Sequence, residues 1–187
     1  MGSYQFDHYK ATLTLENGEK TTCSFPSSSK LNINEAINLL QGRAVMKDFQ
    51  GMDGSVSRRW LQLDFKGMDA SAEPKIATYT SDHGFDLKKM LTEHATGLDH
   101  YSMVKGKTLQ AMEEGNMVGF DLPGKGRYYM QANPSENRVN FFGADKVPLD
   151  FDAIKSQLNG IKNQRLPDFK LFPEQNNDHE QQWQIMR

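Results

Sequence analysis

The side chains able to do chemistry in this sequence are few and scattered. His94, Asp99 and His100 are metal-donor types, but their spacing straddles a helix end at Gly97, so a shared face does not follow. No second cluster completes a coordination shell, and we read them as solvent-facing groups with no metal. Cys23 carries a nucleophilic sulfur, yet it falls on the inward side of an alternating segment with no histidine placed to activate it. It reads as a small hydrophobe. Pro123-Gly124-Lys125-Gly126 has a phosphate cradle's glycine and lysine without the P-loop spacing or the following Ser or Thr. It lies between two predicted strands and reads as a hairpin turn. Asp64 and Asp86 are acids of the kind that move protons, but Asp86 is placed to cap a helix and Asp64 sits on the polar side of a strand. We assign no catalytic residue and no cofactor, and an enzyme is the least favoured class.

What remains is binding chemistry. Alternate side chains of a strand share a face. Arg58, Trp60 and Gln62 therefore fall together, as do Arg127, Tyr129 and Gln131, and Arg138 with Asn140. If those sides coincide, Arg, Trp and Tyr share one exposed surface. Stacking platforms beside arginines suit single-stranded nucleic acid. The same residue types anchor protein interfaces. The competing reading puts a helix over this face and Trp60 in the core.

These residues need elements to hold them. Lys10 to Leu15 and Thr21 to Phe25 alternate around Asn17-Gly18, a preferred tight-turn pair, and predict a hairpin with Leu13, Leu15, Cys23 and Phe25 turned inward. Asn32, with Glu35 three residues on, predicts a capped helix whose stripe is Ile33, Ala36, Ile37 and Leu40. Gly42 stands where a left-handed C-terminal cap belongs. Arg43 is expected to pair with Asp48 or Asp64. Strands are predicted over Val45 to Phe49, Arg58 to Phe65 and Lys75 to Thr80, with Leu61, Leu63 and Phe65 buried beside Ile37, Leu40 and Val45. After Gly84, Asp86 caps a helix through His94, and Lys107 to Glu114 forms another. A meander follows over Val118 to Leu122, Arg127 to Ala132 and Arg138 to Phe142, its second turn built on Asn133-Pro134. Asp150 caps a last helix carrying Phe151, Ile154 and Leu158.

The expected fold is α+β, a mainly antiparallel sheet with about four short helices on one face. We place a single domain over residues 1–160 and a polar, irregular extension over 161–187, docked by the apolar run from Leu166 to Pro173. The succession of helix end, glycine and strands from Asn38 to Phe65 returns from Gln110 to Phe142. Helix, glycine cap and strand is a common order, and we favour that reading of the echo over a duplication.

Composition narrows the function classes. The 187 residues are 37% hydrophobic and 25% charged, with a formal net charge of -2, which does not announce a nucleic-acid binder. A single cysteine excludes an internal disulfide and suits a reducing compartment. No stretch is apolar enough to cross a membrane, and the amino-terminal residues lack the apolar core of a signal peptide, so a cytoplasmic location is expected.

Three segments carry a family resemblance. Leu39-Leu40-Gln41-Gly42-Arg43-Ala44-Val45-Met46-Lys47-Asp48 is similar to a helix-end signature, Trp60-Leu61-Gln62-Leu63-Asp64-Phe65 to a strand motif, and His83-Gly84-Phe85-Asp86-Leu87 to a turn motif. Gln131-Ala132-Asn133-Pro134 adds a fourth match in the same order. Together they resemble a family of domains of unknown function abundant in Bacteroidales and carried on conjugative transposons, over roughly Tyr4 to Asp145. Two features depart from the family: Ala95-Thr96-Gly97-Leu98-Asp99 replaces a usual segment, and a short, mildly acidic tail stands where many members carry a long basic, Gln-rich one. The resemblance implies a DNA-mobility setting rather than an activity. The reading is a non-enzymatic adaptor acting through a protein partner, encoded by the same element. The alternative is a nucleic-acid-binding accessory module for DNA transfer or processing.

Overall fold

The computed structural model describes residues 7–66, 73–94, 106–122 and 126–150, with residues 154, 172–173 and 184–186 beyond them. β1 (His8–Thr14) and β2 (Lys20–Pro26) form the expected hairpin, with Gly18 at φ +83° in its turn. Leu13, Cys23 and Phe25 are its buried residues. Leu15 lies past the end of β1 and is exposed, against expectation.

α1 (Ile33–Leu40) begins with a reciprocal capping box. The Glu35 N–H donates to the Asn32 side chain at 2.9 Å, and the Asn32 N–H donates to Glu35 Oε2 at 2.8 Å. Every residue from Glu35 to Leu40 is buried. The helix is thus enclosed all round except at its first turn, which leaves Ile33 exposed instead of in the stripe. Its C-terminus closes as a Schellman motif: Gly42 N–H donates to Leu39 O and Arg43 N–H to Asn38 O, both at 2.8 Å, with Gly42 at φ +81°.

β3 (Val45–Gln50), β4 (Val56–Asp64) and β5 (Lys75–Tyr79) then form an antiparallel meander. Phe65 does not join the core. Pairing stops at Asp64 opposite Lys75, the Asp64 carboxylate accepts from Lys66 N–H at 2.9 Å, and the turn so made leaves Phe65 exposed. A 3-10 turn and Gly84 at φ +85° lead into α2 (Leu87–His94), capped by Asp86, whose Oδ1 accepts from Lys89 N–H at 2.9 Å.

α3 (Gly106–Glu113) ends as α1 does. Gly115 N–H donates to Met112 O at 3.1 Å and Asn116 N–H to Ala111 O at 2.9 Å, with Gly115 at φ +85°. β6 (Val118–Leu122), β7 (Gly126–Asn133) and β8 (Arg138–Phe142) form a second antiparallel meander. The echo in the sequence is therefore matched by a repeated arrangement in the structure. Val118 opposite Met130 repeats Val45 opposite Leu61, and Asp121 opposite Arg127 repeats Asp48 opposite Arg58. Tyr129 opposite Phe142 repeats Trp60 opposite Tyr79, and Asn133 opposite Arg138 repeats Asp64 opposite Lys75. Helix cap and all three strands keep one register.

Three antiparallel sheets result, rather than one sheet with helices on one face. β9 (Pro148–Leu149) extends the second meander beside β8 and β10 (Phe172–Pro173) beside β6, while β11 (Gln184–Met186) pairs with β1. Among the described residues there are three α-helices, not about four. Of the expected last helix only Ile154 is described; it is helical and buried. Most of the extension, including Leu166 to Leu171, lies outside the described residues.

Two cores stack along the molecule. One joins Leu13, Cys23 and Phe25 of the hairpin, Ala36, Leu39 and Leu40 of α1, and Val45, Leu61 and Leu63 of the first meander. The other joins Trp60 on that meander's opposite face to Leu87 and Leu91 of α2, Met112 of α3 and Val118, Met130 and Phe141 of the second meander. β4 is consequently buried on both faces at its centre, with Trp60 and Leu61 adjacent in sequence and each nearly inaccessible. Each unit packs its own helix on one face of its sheet, and the first unit gives its other face to the second, the head-to-tail logic of stacked repeats.

Candidate binding faces

The single basic and aromatic surface expected from strand alternation does not form. Trp60 is 2% exposed and meets Phe85 edge-on at 5.4 Å within the second core. The two meanders stack in the same sense, so equivalent residues point the same way and never toward one another. Trp60 looks from the first unit into the second. Tyr129, its counterpart, alternates with the buried Met130 and looks away from that core.

The first face survives only at its margin. Arg58 is exposed and held by two acids, its Nε 3.3 Å from Asp48 Oδ1 and its Nη2 2.9 Å from Glu113 Oε2 on α3. Gln62 Nε2 donates to Gly42 O at 3.2 Å. The Trp60 indole N–H and Gln62 Oε1 are buried with no hydrogen-bond partner. A cavity of about 440 Å³ lies here, with Met46, Trp60, Tyr79, Phe85 and Leu109 as apolar lining and Arg58, Asp86, Lys88 and Glu113 as charged lining. Gly84 also borders it. Thus Gly84 and Asp86, expected as turn and cap, help wall this recess beside Arg58 and Trp60.

The second face is the outer side of the second meander. Arg127 and Asp121 form a two-point ion pair, Nε to Oδ1 at 2.9 Å and Nη2 to Oδ2 at 3.0 Å. Arg127 accordingly holds the Asp121 carboxyl below its usual range, and Asp121 raises Arg127 in turn. Tyr129 stands opposite Phe142 and Gln131 opposite Asn140, all four half-buried. Lys146 Nζ lies 5.9 Å from the Tyr129 ring centre. Arg138, at the far end of β8, is ion-paired with Glu136. Asn133 and Pro134 make the turn before it, where Ser135 Oγ shares a hydrogen bond of 2.7 Å with Asn133 Oδ1 and a 3-10 turn closes on Asn137 at φ +50°.

Of the two acids expected beside Arg43, Asp48 pairs with Arg58, and the Arg43 guanidinium donates to Asn38 Oδ1 at 3.1 Å. Asn38, fully buried, also donates to Glu114 O at 2.8 Å and Asn116 Oδ1 at 3.1 Å, so one side chain on α1 caps the end of α3. Asn38, Glu113, Asp121 and Phe142 escaped the sequence reading as site residues. The signal for two of them, Asp121 and Phe142, was present: the spacing Arg, aromatic, Gln in both second strands implied equivalent partners on the neighbouring strands, whereas Glu113 reaches Arg58 from α3. Asn38 had no such signal, because its partners are 76 and 78 residues away.

Among the described residues no group of three or more His, Cys, Asp or Glu gathers as a metal site, and no helix is long and apolar enough to cross a membrane. No family model, curated protein or solved structure matches this chain.

Proposed function

We propose that this chain is a non-enzymatic binding module that works through a protein partner, as a component of a bacterial mobile element. The carrying observation is the outer face of the second meander. It presents a half-buried tyrosine, phenylalanine and two amides beside an arginine already oriented by Asp121. Aromatic area with few rotamers to lose, plus directed donors, is what a protein hot spot needs. The mobile-element setting is supported by the signature around Gly42 and Arg43 and by the later motifs that follow it in order.

The charge pattern favours protein over nucleic acid. Arg58, Arg127 and Arg138, the groups suited to phosphates, each lie against a carboxylate. A phosphate backbone would meet nearly neutralised cations and release few counterions. The test is a titration of the full chain at two salt concentrations, against mixed single-stranded DNA and against proteins encoded beside it. Expected are no salt-sensitive DNA binding and a protein partner whose affinity falls on the order of tenfold or more in Tyr129→Ala. DNA binding at low salt that weakens steeply with added salt would replace this reading with the nucleic-acid one.

A further inference from the structure

Close packing leaves few voids larger than a water molecule in a protein interior. The recess beside Trp60 is far larger, about 440 Å³, which is room for a small planar molecule. Its apolar lining is rich in rings. Trp60 stands there with its cross-strand neighbours Met46 and Tyr79, with Phe85 edge-on at 5.4 Å, and with Leu109 of α3.

The polar groups around the recess are unequally occupied. Both acids already accept hydrogen bonds, Asp86 from Lys89 N–H and Glu113 from Arg58, each at 2.9 Å. Arg58 is held by Asp48 as well. Two donors are left over. Lys88, at an exposed position, carries no ion pair among the described residues, and the Trp60 indole N–H is buried with no hydrogen-bond partner. A buried donor without an acceptor is costly, and a group from outside the chain relieves that cost. What the recess lacks is an acceptor, and the free ammonium makes an anionic one fit best.

We infer that the recess binds a small aromatic carboxylate. Its ring packs among Trp60, Tyr79 and Phe85, and its carboxylate accepts from Lys88 and the Trp60 indole N–H. None of the described lining residues belongs to the outer face of the second meander, so the site does not rest on the protein-binding reading above.

The test titrates phenylacetate, neutral phenylacetamide and cationic phenethylammonium into the full-length chain, followed by NMR. Phenylacetate is expected to bind with a Kd on the order of 1 mM or tighter. It should shift the resonances of Met46, Tyr79, Phe85 and Leu109 and move the Trp60 indole proton downfield. The amide and the ammonium should each bind about tenfold more weakly. Lys88→Met should weaken phenylacetate about tenfold and leave both the amide's affinity and the thermal melt unchanged. Trp60→Phe keeps a ring, removes the donor and should also weaken the acid; if that variant unfolds, the Lys88→Met comparison decides. No shifts at the recess, an indole proton that stays in place, equal affinity for the three compounds, or indifference to Lys88→Met would each overturn the inference. Tightest binding by phenethylammonium would give the recess to cations, through its rings and acids, and would overturn it too.

Discussion

Gly42 and Gly115 hold the same place in the two units, and an alanine at each separates backbone strain from crowding. Both have φ near the centre of the left-handed region, +81° and +85°. That conformation costs an L-residue about 1–2 kcal/mol at either site. Their surroundings differ. A Cβ on Gly42 would meet only the Phe65 ring edge at 3.5 Å, an ordinary contact with a side chain free to move. A Cβ on Gly115 would lie 2.9 Å from Asn38 Cβ, 2.9 Å from Val45 Cγ2 and 3.0 Å from Ala44 O. None of these can retreat cheaply, because Asn38 is pinned by its bonds to Glu114 and Asn116, and Ala44 and Val45 are buried. Overpacking of this sort adds about 1–3 kcal/mol. Gly42→Ala should therefore lose about 1–2 kcal/mol, and Gly115→Ala about 2–5 kcal/mol. Urea denaturation gives the comparison directly, through the shift in midpoint at an unchanged slope. If Gly115→Ala proves no more damaging than Gly42→Ala, the close junction between the units is refuted.

Trp60→Ala should act on stability rather than on a binding surface, losing about 3–5 kcal/mol in the same assay because the ring is enclosed by both units. A normal melt with selectively lost binding would return Trp60 to a surface role. Stability should also depend on Glu73, whose carboxyl is held below its ordinary value by Lys10 at 2.6 Å, with help from Ser24. A depressed carboxyl stabilises the fold above its unfolded pKa and loses that contribution as pH falls through the folded one, so Glu73→Gln should flatten the acid side of the stability curve below about pH 4. Parallel acid titrations of both proteins would contradict this.

The second face has features that suit the binding role proposed above. Its candidate cations are spoken for by neighbouring acids, and its aromatic groups stand on regular strands rather than on loops. Rigid strands fix the separation of Tyr129 and Phe142 through a single hydrogen-bonded register.

Local signals in the sequence were sufficient for most of the longer elements. The capping box at Asn32 and Glu35, the left-handed Gly42 and the Asp86 cap each depend on atoms within a few residues, and each forms as the residue types predict. The alternation of β4 likewise determined which residues share a side. It did not determine what covers each side, because period two is silent about which of two faces meets solvent. That choice belongs to the stacking of the units. Strand β4 lies between two cores, so Trp60 is buried on one side while Leu61 is buried on the other. The same-sense stacking then turns Tyr129 outward, although its local sequence copies that of Trp60. Phe65 fails for a local reason of the opposite kind, since a turn on Asp64 ends the strand one residue before the pattern does. The composition and spacing thus specified two similar strands with similar side chains, and only their order along the stack decided that the first became core and the second a surface.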